Sequence, residues 1–186
     1  MGAVRGGVRV VGGEFGSRPL EGPPPGVRPT SARVRAVLFN SLADVLPACN
    51  FVDLYAGCGA VGIEALSRAA SKCLFIERDR VCVEVIRRNL AKLGIAARAK
   101  VVRRDAQKSI AEILRWAGTA PVVIFADPPY GDDTWTELVR RLLAAGLAPG
   151  SIIVVEHSSR RPPAGLPPPS WQRQIGETCL TRWEIG

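Results

Sequence analysis

The 186-residue chain contains one histidine, one methionine and five cysteines, and no two cysteines form a C-x-x-C pair. Metal sites draw on clustered cysteine and histidine, so this supply argues against a structural or catalytic metal. Cys49, Cys58, Cys73, Cys82 and Cys179 are scattered and odd in number. That usage points to free thiols in a reducing cytoplasm, not to a disulfide framework. No apolar run reaches ~18 residues, so no transmembrane helix is expected. The first residues carry no signal-peptide pattern either. Negative charge is short: 17 acidic side chains face 25 basic ones, a net charge of +8. Such a balance suits a polyanionic partner or, more plainly, a solvated basic surface. The excess is uneven, because residues 1–35 hold six arginines and two glutamates, half of the whole surplus.

What the chain does have is a hydrophobic content of 47%, ample for a buried core, arranged as strands alternating with helices. Residues 8–22 read as a small hairpin, with Gly12-Gly13 and Gly16-Ser17 as turn signals. The run Glu21-Gly22-Pro23-Pro24-Pro25-Gly26 reads as a loop. Thr30 or Ser31 then supplies an N-cap, and Val34, Val37, Leu38, Leu42 and Val45 recur at helical spacing up to Pro47. Arg33 and Arg35 fall off that stripe, so this leader is expected to present arginines outward. Strands are expected near 51–54, 72–76, 99–103, 121–126 and 151–156, with helices over 60–70, 79–93, 105–116 and 134–145. The proline-rich stretch 160–170 is too broken for a helix, and 171–184 reads as an antiparallel hairpin.

The strongest local signal is Phe51-Val52-Asp53-Leu54-Tyr55-Ala56-Gly57-Cys58-Gly59-Ala60-Val61-Gly62. It reads as strand, tight turn and helix N-terminus, where glycines permit sharp turning and close ligand approach. The G-x-G-x-x-G spacing alone also suits a pyrophosphate. The acid Glu77 follows 24 residues after Asp53, close to the ~20 expected for a ribose-binding carboxylate. Asp105 and Asp127 likewise follow strands. Any one such acid is often only a helix cap; four at corresponding positions indicate a nucleoside-cofactor site. By spacing, the leader contributes no residue to that pocket.

Asp127-Pro128-Pro129-Tyr130 is the most informative tetrapeptide. Two prolines fix the backbone and remove two N–H donors, leaving an acceptor-only corner beside an aromatic ring. Such a corner suits an exocyclic amine on a flat ring, with Tyr130 stacked on the ring face. A Pro-Pro turn with a core tyrosine is the plainer reading. His157 and Trp135 could line the same pocket or simply fill the core, and the basic run 98–104 could touch phosphates or face solvent.

These stretches together resemble the successive motifs of class I S-adenosylmethionine-dependent methyltransferases. Asp127 to Tyr130 is similar to the D/N-P-P-Y/F/W signature of enzymes that methylate exocyclic or amide nitrogens. The leader motifs Arg9-Val10-Val11-Gly12-Gly13, Arg28-Pro29-Thr30, Arg33-Val34-Arg35 and Leu38-Phe39-Asn40, with the closing Gly176-Glu177-Thr178, resemble the bacterial 16S ribosomal RNA guanine-N2 methyltransferases, the RsmD-like family. The fold this implies is a doubly wound, Rossmann-like α/β domain over 30–186. It has a seven-stranded, mostly parallel sheet, a C-terminal antiparallel hairpin, and a small β-hairpin and helix extension at the N-terminus.

The resemblance implies S-adenosylmethionine as cofactor. Gly57 and Gly59 would pass under its methionine part, Asp53 would hold its ammonium, Glu77 its ribose, and Asp105 with Ala106 its adenine. Tyr55, in place of an expected phenylalanine, Arg78 and Asp127 complete the cofactor set. Asp127 and Pro128 would orient a guanine N2 and Tyr130 would stack on the base, making these three the catalytic residues. Small-subunit ribosomal RNA, carried in a ribonucleoprotein particle, is the implied partner of a monomeric enzyme. Residues 1–29 would dock it through Arg9, Arg18 and Arg28, joined by Arg33 just beyond them. Adenine-N6 methylation is the same-class alternative. A nicotinamide-dependent oxidoreductase or a silent RNA-binding module would leave the Asp-Pro-Pro-Tyr corner or the strand-end acids unexplained.

Overall fold

A computed structural model of the chain describes residues 7–129, 131 and 134–186. After α1 (Ala32–Ser41), strands and helices alternate: β1 (Asn50–Leu54), α2 (Ala60–Ser67), β2 (Lys72–Glu77), α3 (Arg80–Leu93), β3 (Ala99–Arg103), α4 (Ile110–Ala117), β4 (Val122–Ala126), α5 (Trp135–Leu143) and β5 (Ile152–Ser158). The chain closes with the hairpin β6 (Trp171–Ile175) and β7 (Thr178–Glu184). The sheet order is β3-β2-β1-β4-β5-β7-β6, parallel from β3 to β5 and antiparallel at β7 and β6. Strand order reverses between β1 and β4, whose carboxyl ends lie level at Leu54 and Ala126. That is where an open α/β sheet leaves a crevice for ligands.

Side chains alternate across the sheet, and each face has its own core. Phe51, Phe75, Phe125 and Val154 pack beneath the leader, α1, α2 and α3. Val52, Leu74, Ile124 and Ile153 pack against α4 and α5. Two residues further along the first face stand Asp53, Glu77, Asp127 and Glu156. Period-two geometry therefore aims four strand-end acids at the side covered by the leader.

The local chemistry explains most boundaries. Asp79 accepts from the Cys82 N–H at 2.8 Å and caps α3, while Gly94, with φ of 72°, ends it. The expected helix over 105–116 is divided: Asp105 caps a 3-10 turn at Ala106–Lys108, and α4 starts only at Ile110. The Ser109 hydroxyl donates to the Asp105 carbonyl at 2.6 Å and holds that break. α1 ends at Ser41 rather than Pro47, continuing only as single turns to Leu46. The leader hairpin is reduced to one antiparallel bridge, Arg9 to Pro19, with Val10 and Leu20 buried in the first core.

One expectation fails outright. Arg35 is not outward-facing but 3% exposed, with its Nε 3.0 Å from the fully buried Glu64. The guanidinium also donates to the carbonyls of Thr30 (2.8 Å) and Arg9 (2.6 Å), which satisfies it inside the protein. Among the described residues no helix is long and apolar enough to cross a membrane, and no acid, histidine and cysteine cluster could hold a metal.

Candidate active site

The chain leaves β1 through Tyr55, a non-glycine residue at φ of 58°, and continues through Gly57 (54°) and Gly59 (79°). A side chain on Gly57 would find only Val27 Cγ1, at 3.9 Å, so its open side faces the crevice. At Gly59 a Cβ would press on Ile86 at 3.2 Å, because this glycine caps α2 and packs inward. Gly59 therefore turns the chain and lies outside the cavity lining, unlike the cofactor contact expected of it. The Glu77 carboxylate ties the turn to the next strand: Oε2 accepts from Gly57 N–H at 2.9 Å and Oε1 from Asp79 N–H at 2.8 Å. Asp53 Oδ2 accepts from Gly62 N–H at 2.8 Å, holding the first turn of α2. Burial pushes the Asp53 carboxyl well up, opposed by that N–H.

Above these acids lies a cavity of about 630 Å³, within the size range of small-molecule sites. Asp53, Tyr55, Gly57, Glu77, Arg78, Asp105, Ala106, Asp127 and Pro128 line it, so most of the expected residues come together. The leader lines it as well, through Pro23 and the run from Gly26 to Ser31, contrary to the expectation from spacing. Arg28 stands on this rim, whereas Arg9, Arg18 and Arg33 are exposed outside the cavity. Tyr130 lies outside the described residues.

The far end of the cavity is a carboxylate corner. Thr30 Oγ1 donates to Asp127 Oδ2 at 2.9 Å, across 97 residues of sequence. Pro128 is buried beside it. Burial pushes Asp127 up to about 6, with the Thr30 hydroxyl opposing the shift. Glu156, absent from the motifs read in sequence, also lines this corner. Its signal lies only in strand pairing: Ala126 is opposite Val155, so Asp127 and Glu156 are the next positions on neighbouring strands. His157 points elsewhere. It bonds Thr181 Oγ1 at 2.8 Å and stacks on Trp135 at 5.1 Å, so both residues serve the core. Of the basic run, Arg98 is occupied by the carbonyls of Leu66, Ala70 and Ser71, while Arg104 reaches the cavity.

The strand order, the acids at the strand ends and the Asp-Pro-Pro corner define a Rossmann-like methyltransferase. Residues 8–182 match the family described as conserved hypothetical protein 95. The chain belongs to this family, that of the RsmD-like methyltransferases. It is similar to the ribosomal RNA small subunit methyltransferase D of Escherichia coli strain K12, 39% identical over 170 residues, which cover 89% of this chain and 82% of that protein. It also resembles a solved hypothetical protein from Thermus thermophilus, with 31% identity, a TM-score of 0.81, and coverage of 96% and 99% of the two chains. An RNA methyltransferase from Salinibacter ruber, solved in complex with S-adenosyl-L-homocysteine, shares the fold. It is 22% identical, with a TM-score of 0.66 over 85% of this chain and 94% of that one. Membership of a methyltransferase family leaves no place for the oxidoreductase reading of the glycine turn.

Proposed function

We propose that this protein methylates the exocyclic N2 of a guanine in small-subunit ribosomal RNA, the base being turned out of its stack to reach Asp127. The cofactor is S-adenosylmethionine, and the cavity chemistry fits it. That molecule presents an ammonium, ribose hydroxyls and an adenine amine, all donors, to a lining rich in carboxylate acceptors. Asp53 holds the ammonium, Glu77 the ribose, and Asp105 with the Ala106 backbone the adenine, while Gly57 lets the ligand pass close. When bound, the cofactor supplies an electrophilic methyl group on its sulfonium.

The observation that carries this reading is the Asp127 corner, held by Thr30 in the lining of the cavity. A guanine N2 is a poor nucleophile because its lone pair is delocalised into the ring. Asp127 and the Pro128 carbonyl accept its hydrogens, which favours the localised lone pair and the positive charge developing on nitrogen. Alignment then does most of the remaining work. Extruding the base costs a few kcal/mol, least for an unpaired nucleotide. We assign the stacking role to Tyr130. Arg9, Arg18, Arg28 and Arg33 of the leader dock the RNA phosphates, within a ribosomal particle.

The test is to incubate the protein with labelled cofactor and unmodified small-subunit particles, and to identify the product nucleoside by mass spectrometry. N2-methylguanosine is expected; N6-methyladenosine would move the reading to adenine. Calorimetry of cofactor binding supplies a second check. Glu77→Ala removes a charged acceptor worth ~1.5–3 kcal/mol, roughly ten- to a hundredfold in affinity. Unchanged affinity would remove Glu77 from the ribose site.

A further inference from the structure

Glu156 is 7% exposed, and its Oε2 is buried without a hydrogen-bond partner among the described residues. The other buried acids are matched. Asp53 holds Gly62, Glu64 holds Arg35 and Arg68, and Glu112 holds Lys100 and Arg115. A buried oxygen left unpaired costs free energy, so an orphan on a residue that lines a cavity calls for a ligand. Glu156 lines the same cavity as Asp127, one position past the last paired residues of β4 and β5. Adjacent strands lie ~4.8 Å apart, which sets the two carboxyls side by side on one face.

Burial and the neighbouring Asp127 charge push Glu156 up to about 8, against the Thr30 hydroxyl. At neutral pH it is thus a carboxylic acid with one acceptor oxygen and one O–H donor. With the proton on the Glu156 oxygen farther from Asp127, the corner read outward from Asp127 offers acceptor, acceptor, donor. The Watson–Crick edge of guanine offers the complement: N2–H donor, N1–H donor, O6 acceptor. Adenine held by its N6 instead presents an N1 acceptor next and then a C–H, which leaves a Glu156 oxygen unpaired.

We propose that Glu156 is a base-reading residue, engaging the N1–H and O6 edge of the guanine whose N2 lies at Asp127. This rests on the guanine-N2 reading above and adds to it the group that selects guanine over adenine. Flipped bases are read through hydrogen bonds to this edge, and a bidentate pair is worth roughly ten- to a hundredfold in discrimination.

The experiment uses particles reconstituted with synthetic RNA in which the mapped target carries either guanine or 2-aminopurine. The analogue keeps the exocyclic amine but has an acceptor at N1 and no O6. Wild-type enzyme should prefer guanine by roughly ten- to a hundredfold in kcat/KM. Glu156→Gln, which offers an acceptor and a donor in the same place, should keep that preference. Glu156→Leu should lose it, the guanine rate falling far more than the 2-aminopurine rate. A structural role would lower both rates alike and leave the ratio standing. A wild-type enzyme indifferent to the two bases overturns the proposal without any variant having to fold, as does a Leu variant that still discriminates. Absence of N2 methylation on either base would instead sink the guanine-N2 reading beneath it.

Discussion

Arg35 with Glu64, and the half-buried Asp127 with the buried Glu156, lie on the same side of the sheet, yet the first cluster is saturated and the second is not. Arg35 spends its donors on Glu64, the Thr30 carbonyl and the Arg9 carbonyl, and Glu64 also accepts from Arg68 and the Val11 N–H. Among the described residues, Asp127 receives a single hydroxyl, and one Glu156 oxygen receives nothing. Evenly matched charge inside a protein organises structure; unmatched acceptors around a cavity are kept for something that arrives. Thr30 joins the two clusters, its carbonyl on Arg35 and its hydroxyl on Asp127.

Breaking the saturated cluster should have the largest effect on folding. Arg35→Met leaves Glu64 with Arg68 and the Val11 N–H and frees two carbonyls, a loss of about 3 kcal/mol. For a domain of this size that lowers Tm by roughly 6–12 °C in a thermal melt. A drop under about 2 °C would mean that the cluster is not a structural anchor. Breaking the unsaturated cluster should spare folding and remove chemistry. Asp127→Ala should reduce single-turnover methyl transfer by at least about tenfold, or ~1.4 kcal/mol of barrier, with cofactor affinity within a few-fold. A variant retaining more than about a tenth of wild-type turnover would remove Asp127 from the amine site.

A subtler separation comes from pH. Burial and the facing Asp127 charge raise Glu156 to about 8, whereas in the unfolded chain it titrates near ~4.3. Between those values the folded state holds more protons, so stability falls as pH rises. The penalty is absent at the acid end and complete above about 8. Glu156→Gln removes it, so the Tm of the variant should decline less between pH 5 and 8.5 (roughly the window just derived) and overtake wild type at the alkaline end. The smaller decline due to Asp127 remains in both proteins. Parallel Tm curves would show that the acid carries no such penalty.

Much of this is readable from residue order. The all-apolar run before Asp127 announces a central strand, and period-two alternation places the acids on one face. Periodicity misplaces Arg35 because it reports only the stripe a residue misses, not the buried carboxylate 29 positions away. Thr30 looks like a cap, but Ser31 takes that task by accepting from Val34, and the Thr30 hydroxyl is left for Asp127. Glu156 carries no motif, because its place beside Asp127 depends on the register of two strands separated by a whole helix.

The smallest effect on folding is expected in the leader. Arg9 is gripped by its carbonyl, and its exposed side chain donates to the Ser17 carbonyl. Arg9→Glu with Arg18→Glu should shift stability by no more than about 0.5 kcal/mol. Binding to ribosomal particles should weaken, with the salt slope reduced by roughly one unit for each lost phosphate contact. Normal melting together with wild-type methylation in moderate salt would take the docking role away from these arginines.

The way the leader is fastened bears on how this enzyme can change over generations. Besides the buried Val10 and Leu20 side chains and the Glu21–Arg88 ion pair, its moorings are main-chain atoms: the Val11 N–H to Glu64, the Gly12 carbonyl and Phe15 N–H to the Ser67 hydroxyl, the Glu14 N–H to the Ser67 carbonyl, and the Glu21 N–H to Asn89. Every residue except proline supplies the same N–H, and every residue supplies the same carbonyl. The sockets are specified in the body of the protein, while the outward side chains plugged above them are free to drift. The exposed side chains of this strip can thus change while these bonds stand.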